Sequence, residues 1–259
     1  LIQLIGWTAF EFWAIALAAS RISETLFGFS GYGLWLVLFA ILCTWLALGG
    51  PLVVVRQWLE KFGVWLVYGA TLWMTVALFT QHDVLSLLRQ AGTGELPFLL
   101  AVDLAVAMPV SWLPLVADFT RFARRSRAAF RGTYLGYLVA NVWFYALGAL
   151  FVLTLQIGEP TPENLATAIV ALTGGVLALL VILVNETDNA FADIYSASVT
   201  LQNVLPRASQ RVLIVAIGAV SLVLAAFLTM GQYFGFLLLI GSVFVPLFGV
   251  LAADYYVLR

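Results

Sequence analysis

Apolar residues run in blocks of about twenty along this chain, the length a helix needs to cross a bilayer. Eight such blocks can be marked: 1–20, 33–55, 63–81, 97–118, 134–157, 166–199, 211–230 and 233–254. Short polar or glycine-bearing breaks separate them. No period-two alternation competes for a strand reading, and open strands cannot span lipid because their backbone groups would go unpaired. The pattern predicts an all-α membrane protein, a multi-span helical bundle forming one transmembrane domain over 1–259.

Composition sharpens this. Apolar side chains make up 63% of the 259 residues and charged ones 10%, with a mean hydropathy of +1.05. A soluble chain of this size needs a surface of about 25–35% charged residues, which this one cannot supply. A net charge of −1 gives no footing for nucleic acid. One cysteine, Cys43, excludes an internal disulfide and a cysteine cage, and one histidine, His82, excludes a multi-histidine metal site.

The loops give a sidedness. With residue 1 facing the cytoplasm, the inside loops carry Arg56, Lys61, Arg121, Arg124, Arg125, Arg127, Arg131, Arg207, Arg211 and Arg259. The outside loops carry only Arg21 and Arg89. That is a positive-inside bias. It predicts a multi-pass protein of the plasma (inner) membrane with both ends inside. The start, LIQLIGW, has no charged leader and no cleavage site. It enters directly in apolar sequence, and the expectation is a fragment of a longer chain.

One stretch breaks the apolar run. NETDNAFADIYS, residues 185–196, holds Glu186, Asp188 and Asp193. Were it a loop, the apolar run before it would rise only about 20 Å, short of a hydrocarbon core of about 30 Å. Continuing through AFADIYSASVTLQNVL completes a crossing. The acids are therefore expected within the sixth span, with an exposed loop as the alternative. A carboxylate at mid-membrane costs about 2.5–3.5 kcal/mol, so three require a wet cavity, a cation, a proton or a polar ligand. On a helix Glu186, Asn189 and Asp193 share a face, with Asn185 and Asp188 close by. A hydrogen-bonded cluster that only ties helices together is the structural alternative.

The first span adds a pair. In GWTAFEFW, Trp7 and Glu11 stand four apart and share a helix face. An indole offers a flat π surface, and a carboxylate accepts hydrogen bonds from ring N–H or amino groups. Together they suit a flat heteroaromatic ligand. An interfacial belt tryptophan is the structural alternative for Trp7. In the fourth span, Pro109 and Pro114 each remove a backbone donor, which predicts a broken or kinked helix. Broken helices expose backbone groups at the midplane, a binding device of secondary transporters. Asp118 with Arg121 reads as a structural closure, and Arg124, Arg125 and Arg127 as a topology signal. Glycine pairs such as Gly49–Gly50 and Gly174–Gly175 read as packing positions.

Enzymatic classes find no support. There is no phosphate-binding glycine loop and no zinc spacing. Ser111 and Ser196 have no histidine partner, and no glycine-flanked aspartate pair suggests an intramembrane protease.

Four segments, VSWLPLVADFTRFARR, NETDNAFADIYSAS, LQNVLPR and ADYYVLR, resemble the nucleobase–cation symporter family of cytosine/purine, uracil, thiamine-precursor, allantoin and hydantoin permeases. QLIGWTAFEFW with SWLPLVADFTRFAR is similar to its hydroxymethylpyrimidine branch. The resemblance implies a five-plus-five inverted-repeat fold of about twelve helices with broken helices. This chain would supply helices three to ten, so helices one and two of a parent chain would be missing partners. By the same resemblance Trp7 is the stacking tryptophan, and Glu11 stands where the family has glutamine. The second aromatic position falls at Pro109, with Trp112 one turn later as the candidate. Asp193 stands where the family has a ligand-bonding asparagine. Thr187 and Asp188 match its sodium-binding hydroxyls, and Val184 would give a backbone carbonyl. A carboxylate at Asp188 leaves Na⁺ and H⁺ coupling both open.

The expected function is a secondary active transporter importing a nucleobase-like or pyrimidine compound, cytosine or hydroxymethylpyrimidine, by Na⁺ or H⁺ symport. Trp7, Glu11, Pro109, Trp112 and Asp193 are its substrate residues. Val184, Thr187 and Asp188 are its cation residues, Thr187 and Asp188 holding the metal if sodium is the coupling ion. No organic cofactor is expected, and the lipid bilayer is the remaining partner. A cation channel and an inert truncated membrane protein are the alternatives, and the isolated 259-residue piece is expected not to transport.

Overall fold

The structure, a computed structural model, describes residues 1–49, 62–87, 89, 91–92, 94, 96–113, 116, 120, 123–158 and 161–258. Pro114, Asp118, Arg121, Arg56, Lys61, Gly50 and Arg259 lie outside the described residues. Among the described residues all regular structure is helical. The helices are α1 (Ile2–Phe27), α2 (Tyr32–Leu48), α3 (Val64–Gln81), the one-turn α4 (Val84–Leu87) and α5 (Phe98–Ser111). They continue with α6 (Ser126–Thr154), α7 (Pro162–Ala171), α8 (Gly175–Val204), α9 (Gln210–Ala225) and α10 (Met230–Tyr256). Among the described residues, α1, α3, α6, α8 and α10 are long and apolar enough to cross a membrane. The apolar helices α2, α5 and α9 are shorter.

The chain divides into two compact units. The first joins residues 1–88 to 151–229, and the second joins 89–150 to 230–259. In the first unit α1 lies at the centre, packed on α2, α7, α8 and α9. Its middle is buried almost all round, through Thr8, Phe12, Ile15 and Ala16. Such a helix belongs to the core of a bundle rather than to its lipid face. In the second unit α5 packs on α10. Leucines and aromatics line the outer faces, among them Trp65, Phe98, Leu99 and Leu177, an apolar exterior suited to lipid tails.

Local chemistry sets the helix ends. Gly28 takes a left-handed conformation (φ 67°) after α1, and its N–H donates to the Glu24 carbonyl at 3.0 Å. The Thr161 side chain accepts from the Asn164 N–H at 3.3 Å, and Pro162 opens α7. The Ser209 side chain caps α9 by accepting from the Val212 N–H at 3.4 Å.

Two stretches differ from the marked blocks. The block 166–199 is divided, because α7 ends at Ala171 and α8 starts at Gly175. Gly174 sits between them at φ 75°, where a side chain would be strained. A Cβ on Gly175 would run into the Ile169 carbonyl, so the chain can fold back this tightly only without a side chain there. The Trp73 indole N–H donates to the Thr173 carbonyl at 2.8 Å and pins the turn to α3. In the block 97–118, α5 runs to Ser111 with Pro109 inside its last turn, and of the described residues beyond it Leu113 and Val116 are helical, the Val116 N–H donating to the Trp112 carbonyl at 3.2 Å.

Gly175→Ala is expected to destabilise the protein by about 1–3 kcal/mol, the range for forcing extra volume into a packed site. Gly132, in α6, has open space around its Cβ position, so Gly132→Ala should be neutral or stabilising by about 0.5–1 kcal/mol. Thermal melts of the two variants in detergent check the contrast.

Candidate functional site

α1 packs on α8, and Trp7 and Glu11 of α1 are both buried. Glu11 keeps 5% of its surface exposed and Asp193, on α8, keeps 4%. Asp193 lies beside Ala190, Ile194 and Ala197, the fully buried stripe by which α8 enters the core. The acidic stretch 185–196 is helical throughout, inside the 30 residues of α8. The polar residues therefore ride on a helix whose apolar spacing fixes how it packs.

Electrostatics link the two helices. Glu11 lies within reach of the Asp193 and Glu186 carboxylates, and Asp193 within reach of Glu186. Among the described residues only like charges act on this pair. One oxygen of each, Glu11 Oε2 and Asp193 Oδ2, is buried with no hydrogen-bond partner. A buried acceptor left unsatisfied costs about 1–3 kcal/mol, more when charged. The arrangement is therefore a standing cost that only a donor or a proton offsets.

A third helix closes the site. Cys43 on α2 is fully buried, and its thiol donates to the Thr187 carbonyl at 3.8 Å. Glu11 of α1 lies near enough to act electrostatically on the same thiol. The chain's one cysteine had weight in the sequence only for what it excluded. Nothing in its local spacing announces a contact 144 residues away. The approach of α2 is supported from behind, where Gly218 of α9 leaves room for Thr44.

The expected cation residues lie earlier on α8. Thr187 is half-buried, and its hydroxyl donates to the Leu183 carbonyl at 2.8 Å, leaving its oxygen lone pairs as acceptors. Asp188 is half-buried in the same turn. Val184 is 47% exposed and lies inside the continuous helix α8, where its backbone carbonyl is directed along the axis at the N–H of the next turn. Hydroxyl, carboxylate and carbonyl oxygens fit a hard cation in kind. Among the described residues no three His, Cys, Asp or Glu side chains converge closely enough to hold a metal ion.

Pro109 and Trp112 fall in the second unit. Pro109 is half-buried in the last turn of α5, and the Trp112 N–H donates to the Pro109 carbonyl at 3.3 Å at the helix end. The structure thus brings Trp7, Glu11, Thr187, Asp188 and Asp193 onto two packed helices, with Cys43 and Glu186 as additions.

A family model described as permease for cytosine/purines, uracil, thiamine, allantoin matches residues 2–259. A hydantoin permease of Microbacterium maritypicum is 24% identical, over 98% of this chain and 55% of its own length. A protein of Bacillus subtilis (strain 168), YxlA, described as a purine-cytosine permease, is 28% identical over 65% of this chain and 40% of its own. A solved structure of Mhp1 in an inward-facing conformation superposes with a TM-score of 0.76 at 22% identity, covering 100% of this chain and 59% of that one. The chain thus spans about half the length of the curated relatives it matches. The likeness to Mhp1 gives the fold, part of an inverted-repeat transporter bundle of a multi-pass membrane protein. The relatives are permeases by name and not enzymes.

Neutralising either buried acid should stabilise the ligand-free protein. Asp193→Asn and Glu11→Gln are each expected to raise the melting temperature by about 2–4 °C per kcal/mol relieved. Differential scanning fluorimetry in detergent reads this, and a fall of similar size would show that the carboxylates are already satisfied.

Proposed function

We propose a function on one premise: the chain belongs to the family of permeases for cytosine/purines, uracil, thiamine and allantoin. The protein is a secondary active transporter, or part of one, that imports a nucleobase-like or pyrimidine compound across the plasma membrane. Cytosine and hydroxymethylpyrimidine are the leading substrates, and Na⁺ or H⁺ is the coupling ion. The observation that carries this is the burial of Glu11 and Asp193 against each other on α1 and α8, one turn from Trp7. Unpartnered carboxylates in a membrane core are expensive and mark a pathway or a binding site.

The chemistry follows from the residue types. The base stacks on the Trp7 indole, an interaction worth about 0.5–1.5 kcal/mol beyond buried area for aromatic pairs. Glu11 and Asp193 accept hydrogen bonds from its ring and amino N–H groups. Trp112 is the candidate second aromatic, at the helix end formed by Pro109. Oxygens of Val184, Thr187 and Asp188 hold the cation. Thr187 lies six residues before Asp193 on one helix, about 9 Å along its axis. A positive charge there lowers the repulsion among the acids and favours a loaded site. Ion and base thereby stabilise one another, and the loaded bundle rocks to the other side.

Uptake of labelled cytosine and hydroxymethylpyrimidine into proteoliposomes holding a permease of the relatives' full length that contains this chain, with and without inward Na⁺ and H⁺ gradients, tests this. Concentrative uptake of one of them, driven by one gradient, is expected. Trp7→Ala should lower it by about tenfold, equivalent to some 1.4 kcal/mol, while Trp7→Phe retains most of it. Gradient-independent ionic current with no base uptake would contradict the proposal.

A further inference from the structure

We infer that the cytoplasmic end of α6 is a binding site for an anionic phospholipid. Arg127 and Arg131 hold its phosphate, and its acyl chain lies along the apolar face below them. This holds whichever compound the protein carries. Arg124, Arg125, Arg127 and Arg131 fall within eight residues at the start of α6, and all four are exposed. Among the described residues none of them forms an ion pair, and the first turn of the helix holds no acid. The Arg125 carbonyl accepts from the Ala128 and Ala129 N–H groups at 3.0 and 3.1 Å, so the helix begins among the arginines. Its first N–H groups have no acceptor within the helix and add a positive dipole end to the guanidinium charges. Like charges crowded at one point repel, and a bound anion relieves this.

Topology accounts for the sign of the charge on this side of the membrane. It does not account for what lies below the charge. Arg127, Arg131, Tyr134, Leu138 and Val142 follow at intervals of four, three, four and four, so they share one face of α6. All five are exposed. Phe130 and Tyr134 stack beside the arginines, their ring centroids 6.1 Å apart and their planes 8° apart. Aromatic rings at a helix end sit at headgroup level. The 29 residues of α6 rise about 43 Å against a hydrocarbon core of about 30 Å, so the helix projects into the headgroups. One face thus runs from guanidinium to aromatic ring to aliphatic side chain. Its complement is anionic at one end and apolar along the rest. The guanidinium fork pairs two donors with phosphate oxygens. A free phosphate would leave the apolar face unused, and an acidic peptide or a nucleic acid could not follow that face into lipid.

The test uses a permease of the relatives' full length that contains this chain, purified in detergent. Native mass spectrometry measures its binding of phosphatidylglycerol and of phosphatidylcholine with the same acyl chains. Wild type should bind phosphatidylglycerol tighter by about tenfold or more, since each arginine near the surface is worth about fivefold. The double variant Arg127→Gln/Arg131→Gln should lose that preference. Each single variant should lose part of it, and these carry the test if the double variant does not fold. The control Arg207→Gln/Arg211→Gln, which alters exposed arginines at another cytoplasmic helix end, should keep the preference. Inorganic phosphate at the lipid's concentration should displace nothing. Equal binding of the two lipids by wild type overturns the inference and means that other segments of the longer chain cover this face. An equal loss in the control pair overturns it too, leaving only a diffuse attraction to the positive side. Displacement by inorganic phosphate overturns it in favour of a free-anion site.

Discussion

The structure turns on the contact between α1 and α8. Ala18 and Ile22 of α1 form one buried cluster with Leu179 of α8 and Ala166 of α7, and Val176 and Leu183 of α8 pack against it. The same approach presses Glu11 towards Asp193. In lipid this cannot be relieved by snorkelling, because both groups are buried and lie well inside long helices. Packing and repulsion thus act on the same seam with opposite signs. A bundle evolved only to be stable would place leucine at both positions, as replacing buried charge by apolar packing is often neutral or stabilising. The persistence of acids there is what ties the fold to a function.

Other elements serve to hold that seam. The turn at Gly174 and Gly175 lets α7 fold back on the start of α8 and docks it on α1. The Ser221 hydroxyl of α9 donates to the Ile5 carbonyl at 3.3 Å, and Tyr32 at the head of α2 donates to the Ala225 carbonyl at 3.3 Å. Cys43 reaches the α8 backbone at Thr187. Each is a polar contact between helices whose remaining surfaces are apolar, so each fixes rotation and register where grease cannot.

Much of this could be read from the chain. Helical character followed from apolar blocks of spanning length. The helical state of 185–196 followed from arithmetic, since the apolar run before it was too short to cross without it. Trp7 and Glu11 were visible as an i, i+4 pair. The break at 172–174 was not, because Gly174 and Gly175 looked like packing glycines. Positive φ at one and the Ile169 carbonyl against the other are properties of the folded backbone that local sequence does not display. The meeting of Glu11 with Asp193, 182 positions on, and the part of Cys43 are tertiary facts. Periodicity fixes which face a residue occupies and not which helix that face meets. Resemblance to the permease family set Trp7, Glu11 and Asp193 around one ligand, and the helices that carry them, α1 and α8, are packed together.

The most direct measurement is an experimental structure of the protein with a bound aminopyrimidine. The account requires the ring on the Trp7 indole, with nitrogen donors within hydrogen-bond distance of Glu11 and Asp193 carboxyl oxygens. A base held elsewhere, with Glu11 and Asp193 bonded to protein groups and untouched by ligand, would contradict it and reduce the acidic seam to a structural tie between helices.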